Sequence, residues 1–254
     1  MIVFITGVTA GFGKTMAEQL VQAGHTVIGT GRRQERLDKL KQALGERFYP
    51  LCFDVSDKQA MADALGGLNG ANDSPNLDGI DVLINNAGLA LGLNPAHKAN
   101  WDDWQTMIDV NIIGLVGLTH TLLPSLVKNR GLIINIGSIA GTYPYPGGNV
   151  YGATKAFVQQ FSLNLRADLA GTGVRVSNVE PGLCGGTEFS QVRFYGDTQK
   201  AQSVYDKVTA LTADDIANVV SWLIAQPAHV NINRVELMPT AQSFAPLAAA
   251  KNNP

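Results

Sequence analysis

Short runs of β-branched and other apolar residues alternate along the chain with longer stretches whose apolar positions recur every three or four residues. The runs IVFIT (2–6), HTVIGT (25–30), FYPLCF (48–53), DVLIN (81–85), LIINIG (132–137), VRVSNVE (174–180) and NRVELM (233–238) predict strands. Several are almost continuously apolar, as strands covered on both faces are. The periodic stretches predict helices at roughly 12–24, 34–44, 57–68, 101–128, 151–170 and 213–226. This alternation specifies an α/β fold: a single doubly wound domain over 1–254, with a seven-stranded parallel sheet flanked by helices. Three stretches fall outside the pattern: a polar, turn-rich loop at 66–79, the segment 182–210, placed to form a substrate loop or lid, and the C-terminal tail 240–254.

Ligands of such a sheet bind beyond the carboxyl ends of the strands, where strand order reverses, so residues at those ends carry functional weight. Directly after the first strand comes TGVTAGFG, with Gly7, Gly11 and Gly13. A glycine loop between a strand and a helix lets the backbone approach a pyrophosphate, and the helix start offers free N–H groups to it. The spacing is one residue wider than G-x-G-x-x-G, and the loop lacks the Gly-Lys-Ser/Thr ending of a phosphate loop. About twenty residues on, a dinucleotide site places either an acid for the adenosine ribose or an arginine for a 2′-phosphate. Here Arg32 and Arg33 close the second strand, with no Asp or Glu beside them, and the pair predicts NADP as the cofactor. Arg36, one helical turn on, is expected to have turned away. Thr9 can add a hydroxyl. Asp54 and Val55, after the third strand, are candidates for the adenine, although Asp54 is equally suited to cap the next helix.

Composition narrows the alternatives. Among 254 residues, 45% are hydrophobic and 16% charged, with a net charge of −2 and no long run of either sign. Nothing there suggests a nucleic-acid partner or an anionic membrane surface. No apolar stretch was expected to reach the ~18 residues of a membrane span. Cys52 and Cys184 form no metal-ligand pattern, and no metal is predicted. Two lone thiols behind a start without a secretory leader predict a cytoplasmic location.

Tyr151 and Lys155, four apart in NVYGATKAF, share one helix face. A neighbouring cation favours the phenolate, so the pair is a sensible acid/base unit. Ser138, after the fifth strand, can hold a substrate oxygen within reach of Tyr151. Taken together, TGVTAGFG (6–13), NNAG (85–88), Asn111 in DVNIIG, Ser138 with YGATK (151–155), and EPGLCGGTEF (180–189) resemble the short-chain dehydrogenase/reductase family. The resemblance covers the chain to about Pro239, and Thr187 stands one place later than the family's usual threonine.

The resemblance implies a Rossmann fold and an oxidoreductase. In it Tyr151 exchanges the proton, Lys155 lowers its pKa and bonds the nicotinamide ribose, Ser138 orients the reacting oxygen, and Asn111 holds a water linked to Lys155. It places the cofactor against Gly7, Val8, Thr9, Ala10, Gly11, Phe12, Gly13, Arg32, Arg33, Asp54, Val55, Asn86, Ala87, Gly88, Tyr151, Lys155, Pro181, Gly182 and Thr187. It also implies pairing through 101–128 and 151–170, commonly into a homotetramer. Within the family, blocks such as TGRRQERL, NNAGLALG and GGTEFSQVRF are similar to bacterial NADP-dependent enzymes of 3-hydroxy acids. The implied substrates are serine, allo-threonine and 3-hydroxypropionate, interconverted with their 3-oxo acids or semialdehydes. Such a substrate needs a cation for its carboxylate, and Arg193 is the candidate. Two other readings stay open: a reductase of another aldehyde, ketone or sugar, and a non-catalytic NADP sensor.

Overall fold

The computed structural model describes residues 1–69 and 75–244. All seven expected strands form: β1 (Ile2–Thr6), β2 (Thr26–Gly31), β3 (Phe48–Cys52), β4 (Ile80–Asn85), β5 (Leu132–Ile136), β6 (Arg175–Pro181) and β7 (Arg234–Leu237). They pair in parallel in the order β3-β2-β1-β4-β5-β6-β7, so the order reverses between β1 and β4.

The helices are α1 (Gly11–Gln22), α2 (Gln34–Leu44), α3 (Lys58–Asn69), α4 (Trp101–Ile108), α5 (Leu115–Lys128), α6 (Asn149–Asp168), α7 (Phe189–Arg193), α8 (Thr198–Ser203) and α9 (Ala213–Ile224). Strand side chains alternate between the two faces, and each face has its own apolar layer. Val3, Ile5, Val27 and Ile84 meet Met16 and Leu20 of α1, Leu37 and Leu40 of α2, and Val220 and Leu223 of α9. On the other face, Phe4, Ile28, Leu83 and Ile133 meet Met61 and Leu65 of α3, Met107 of α4 and Leu118, Leu122 and Leu126 of α5. Each such fully buried side chain stabilises the fold by about 1.5–3 kcal/mol before the entropy of ordering it is subtracted. Caps fix where helices begin: Asn100 accepts from the Asp102 amide, and Thr212 and Asp215 form a reciprocal box at α9.

Three features depart from the sequence reading. The run expected as one helix over 101–128 contains a widened turn, Asp109–Gly114, with π geometry between α4 and α5. By length and composition this Trp101–Lys128 run is apolar enough to cross a bilayer, contrary to expectation, yet half of its most apolar window is buried inside the protein. A helix covering a sheet acquires such a composition because its apolar stripe is wide. Finally, 182–210 contains two short helices, α7 and α8. The Asp197 side chain caps the second by accepting from the Lys200 amide. Parts of the expected 66–79 loop (70–74) and of the tail (245–254) lie outside the described residues.

Candidate active site

One cleft of about 610 Å³ follows the carboxyl edge of the sheet, from Arg32 and Arg33 at one end to Ser138, Tyr151 and Arg193 at the other. Its floor is the turn after β1. Gly7 sits at φ +74°, and a Cβ on Gly13 would lie 2.2 Å from the Gly7 carbonyl oxygen, so α1 can start directly on the loop. The segment after β4 is tied to this loop. Thr6 Oγ1 accepts from the Asn86 and Ala87 amides at 2.9 and 2.8 Å, and Asn86 Nδ2 donates to the Thr6 carbonyl at 2.8 Å.

Most of the expected cofactor residues line the cleft: Gly7, Thr9, Ala10, Gly11, Phe12, Arg32, Arg33, Asp54, Val55, Asn86, Ala87, Gly88, Tyr151, Lys155, Pro181, Gly182 and Thr187. Two do not. Val8 is fully buried in the core, and its amide donates to the Thr30 carbonyl at 2.9 Å. Gly13 lies behind the loop, where it permits close packing rather than contact.

The basic end is richer than expected. Arg32 Nη1 donates to Asp54 Oδ2 at 3.2 Å, with 62% of the arginine side chain exposed. Arg33 donates to Thr9 Oγ1 through Nε (3.2 Å) and Nη2 (2.9 Å), and through Nη1 to Glu188 Oε2 (2.8 Å). Arg36 has not turned away. Its Nη1 reaches the Thr9 carbonyl (3.3 Å) and Glu188 Oε1 (2.7 Å). Arg33 is the N-cap of α2, so Arg36 stands three residues further on and shares its face. The site does contain acids, brought from distant parts of the chain. Burial pushes both carboxyls up, but hydrogen bonds from Ser56 and then the Arg32 charge hold Asp54 below its ordinary value. Bonds from Arg33 and Arg36 hold Glu188 down in the same way. Asp54 does not cap α3; Asp57 does, accepting from the Gln59 and Ala60 amides.

At the other end, α6 carries Tyr151 and Lys155 into the cleft, each 7% exposed. Lys155 Nζ donates to the Ile136 carbonyl at 2.7 Å and lies 6.0 Å from the Tyr151 ring centroid. Ser138 caps the turn after β5, its Oγ accepting from the Ala140 amide. This turn and α6 meet backbone to backbone. A Cβ on Gly141 would be 2.7 Å from the Lys155 carbonyl carbon, and one on Gly152 would be 2.9 Å from the Ala140 oxygen. Asn111, held in the widened turn, is buried, with Oδ1 accepting from the Leu89 amide and Nδ2 donating to the Leu89 carbonyl and Thr154 Oγ1. It flanks Gly88 opposite the Lys155 ammonium.

Burial governs both titrating groups. It pushes Tyr151 up to about 12, with hydrogen bonding from Ser138 and the charge of Arg193 working against the rise. In this protein burial outweighs whatever lowers the tyrosine. Burial brings the lysine itself down to about 8 from 10.5. Because the folded pKa lies below the unfolded one, the cost of the buried charge is complete below pH 8 and is relieved as pH rises to 10.5. Lys155→Met should therefore raise Tm at pH 7 by about 5 °C while abolishing turnover. That gain should shrink as pH approaches 10.5, as calorimetry across pH would show.

Arg193, at the end of α7, reaches the same chamber. Its guanidinium carbon lies 5.4 Å from the Tyr145 ring centroid and 5.5 Å from that of Tyr151, and Nη2 donates to the Tyr145 hydroxyl. The sequence reading missed Tyr145, Cys184, Glu188 and Phe189 as cleft residues. Phe189 packs on Tyr151 with centroids 5.7 Å apart, and burial pushes the Cys184 thiol up to about 12. Their only sequence signal was membership of the 182–210 segment or of the turn before α6.

A glycine turn at the switch point, leading along one cleft to a buried Tyr/Lys pair beside a serine, defines a dinucleotide-dependent oxidoreductase. The chain belongs to the short-chain dehydrogenases, whose family model matches residues 1–196. It is 60% identical over 248 residues to a probable NADP-dependent dehydrogenase of Haemophilus influenzae, covering 97% of this chain and 96% of that one. It is 56% identical over 248 residues to the NADP-dependent 3-hydroxy acid dehydrogenase of Escherichia coli K12, covering 97% and 98% respectively. Among solved structures it resembles the closed form of a serine dehydrogenase complexed with NADP+. That likeness has a TM-score of 0.94 and 55% identity, and covers 99% of this chain and 100% of that one.

Proposed function

We propose that this protein interconverts short 3-hydroxy acids, of the serine, allo-threonine and 3-hydroxypropionate type, with their 3-oxo acids or semialdehydes, using NADP(H). The names of its relatives support the substrate class, and the donor set of the cleft fits the cofactor. Arg32 and Arg33 are two guanidiniums at the end of β2, and Arg32 is largely exposed. NADP, when bound, supplies or accepts a hydride at its nicotinamide.

The chain's own residues do the rest. Tyr151 delivers a proton to the carbonyl oxygen on reduction and removes it from the hydroxyl on oxidation, with Ser138 orienting that oxygen. Lys155, anchored on the Ile136 carbonyl, supplies positive charge near the phenol and would hold the ribose of a bound cofactor. Asn111 fixes the loop at Leu89 beside Gly88 and the Lys155 ammonium.

The observation carrying the substrate class is Arg193, a guanidinium set against the ring of Tyr151. A carboxylate two carbons from the reacting carbon is held there by charge-assisted bonds, each contributing about 1.5–3 kcal/mol. Arg193→Met should raise KM for serine and 3-hydroxypropionate roughly 10- to 100-fold, with little change for an uncharged alcohol of the same length. Equal losses on both substrates, or activity on sugars and none on hydroxy acids, would sink the assignment.

The reading extends to a single-domain subunit in a homotetramer, paired through α4–α5 and α6. Exposed Ile113, Phe157 and Leu163, with Phe157 stacked on Phe161 at 5.6 Å, support burial against other subunits. Two free cysteines are consistent with a cytoplasmic location.

A further inference from the structure

The segment from Thr187 to Tyr195 lies over the cleft as a strap and is fastened at both ends. At the substrate end, the Gly92 amide donates to the Arg193 carbonyl at 3.0 Å, and the Tyr195 hydroxyl donates to Asp103. Between the anchors Phe189, Val192 and Arg193 face the cleft. At the adenosine end, Thr187 rests on the glycine loop, with its Cβ 3.3 Å from the place a Cβ on Gly11 would take. Beside it the Glu188 carboxylate accepts from two guanidiniums, one oxygen each: Arg33 at 2.8 Å and Arg36 at 2.7 Å.

An isolated, half-exposed ion pair contributes little to stability. This one is not isolated. Arg33 is held on Thr9 Oγ1 by two further donors, and Arg36 on the Thr9 carbonyl by one. The carboxylate therefore joins a network already rooted in the glycine loop, and two side chains need not be ordered anew to receive it. Arg32 stays out of the network, with Asp54 as its partner and most of its surface exposed. Two acids against three arginines leave this end of the cleft net positive: the surplus charge lies on Arg33 and Arg36, which share Glu188, while Arg32, paired with Asp54, keeps most of its surface open to a 2′-phosphate.

We propose that Glu188 is a clasp: a positioning residue that fastens the strap to the arginines of the phosphate end, so that releasing the cofactor requires breaking the Glu188–Arg33–Arg36 contact. The clasp links the adenosine end and the Arg193 chamber through the single short helix α7. It rests on the NADP reading for what is retained, but its closing contact belongs to the protein alone.

The test uses Glu188→Gln, Arg36→Gln and the double variant in the full chain. Two rates are measured: NADPH dissociation, by trapping in stopped flow, and hydrogen exchange of the Gly92 amide in enzyme without cofactor. Each single variant should speed NADPH release roughly three- to tenfold and should speed Gly92 exchange by a similar factor. The double variant should do no more than Glu188→Gln alone, which already removes both ion pairs, and Arg36→Gln, which leaves the Arg33 pair, should have the smaller effect of the two. Unchanged or slower release would overturn the clasp, the latter showing that Glu188 competes with the phosphate for Arg33. Multiplicative single effects, or unaltered Gly92 exchange, would overturn it equally. If wild-type protein does not retain NADPH, the cofactor reading fails, and Gly92 exchange alone still decides the clasp.

Discussion

Tyr151→Phe should lower kcat roughly 10³- to 10⁴-fold while leaving NADPH affinity within a factor of about two. The change deletes one hydroxyl and keeps the ring, which is packed on Phe189 and part of the core on the helical face. The fold is therefore retained, and the loss reports the proton step alone. Burial holds the phenol at about 12 despite Ser138 and Arg193, so it is a proton donor throughout the neutral range. Reduction of the oxo acid, which takes up that proton, should therefore not be limited by the protonation of Tyr151 at pH 7. Oxidation should gain with rising pH, its log kcat climbing at a slope near one as the phenolate fraction grows. Turnover of the phenylalanine variant within tenfold of wild type, or a flat oxidation profile between pH 7 and 9, would remove Tyr151 from the proton step.

Arg32→Asp should lower the preference for NADP over NAD by roughly a hundredfold or more, read as the ratio of kcat/KM for the two cofactors. The substitution removes the guanidinium that stands free of the Glu188 network and adds a carboxylate next to Asp54, so two acids would then face the 2′-phosphate. NAD, which has a ribose hydroxyl at that position, gains an acceptor instead. The fold should tolerate the change, because Arg32 is mostly exposed and contributes to no core cluster. An unchanged ratio would mean that Arg33 alone recognises the phosphate.

Much of the framework was legible in the chain because two-sided burial leaves a strong imprint. β4 and β5, fully covered, read as DVLIN and LIINI, and their ends agree with the structure within a residue or two. That Ser138, Tyr151 and Lys155 meet in one cleft was legible for a different reason: their placement depends on a strand end and on helical spacing, both of which are local. Glu188 was illegible because its partners Arg33 and Arg36 lie 155 and 152 residues away. Arg36 was misplaced by treating one helical turn as a change of face, whereas positions three apart share one. Val8 was placed against the cofactor by the resemblance, and in the structure its side chain is buried in the apolar layer of the sheet. The short helices α7 and α8 escaped because segments of five and six residues have no intrinsic helical stability, and tertiary contacts impose their form.

The backbone contact of Gly141 and Gly152 divides the active site mechanically. With no side chain between the Ser138 turn and α6, the backbones that carry the serine, tyrosine and lysine are in direct contact. Arg193 and Glu188 belong to a strap held by side-chain contacts, among them Phe189 on Tyr151 and Ser190 on the Tyr205 hydroxyl. Chemistry and choice of substrate are thus carried by parts of different stiffness. One methyl group added at Gly152 would strike the Ala140 carbonyl and should displace the Ser138 turn from Tyr151 and Lys155. A designer seeking a new substrate for this scaffold should graft residues 187–196 and leave the glycines of the α6 contact untouched.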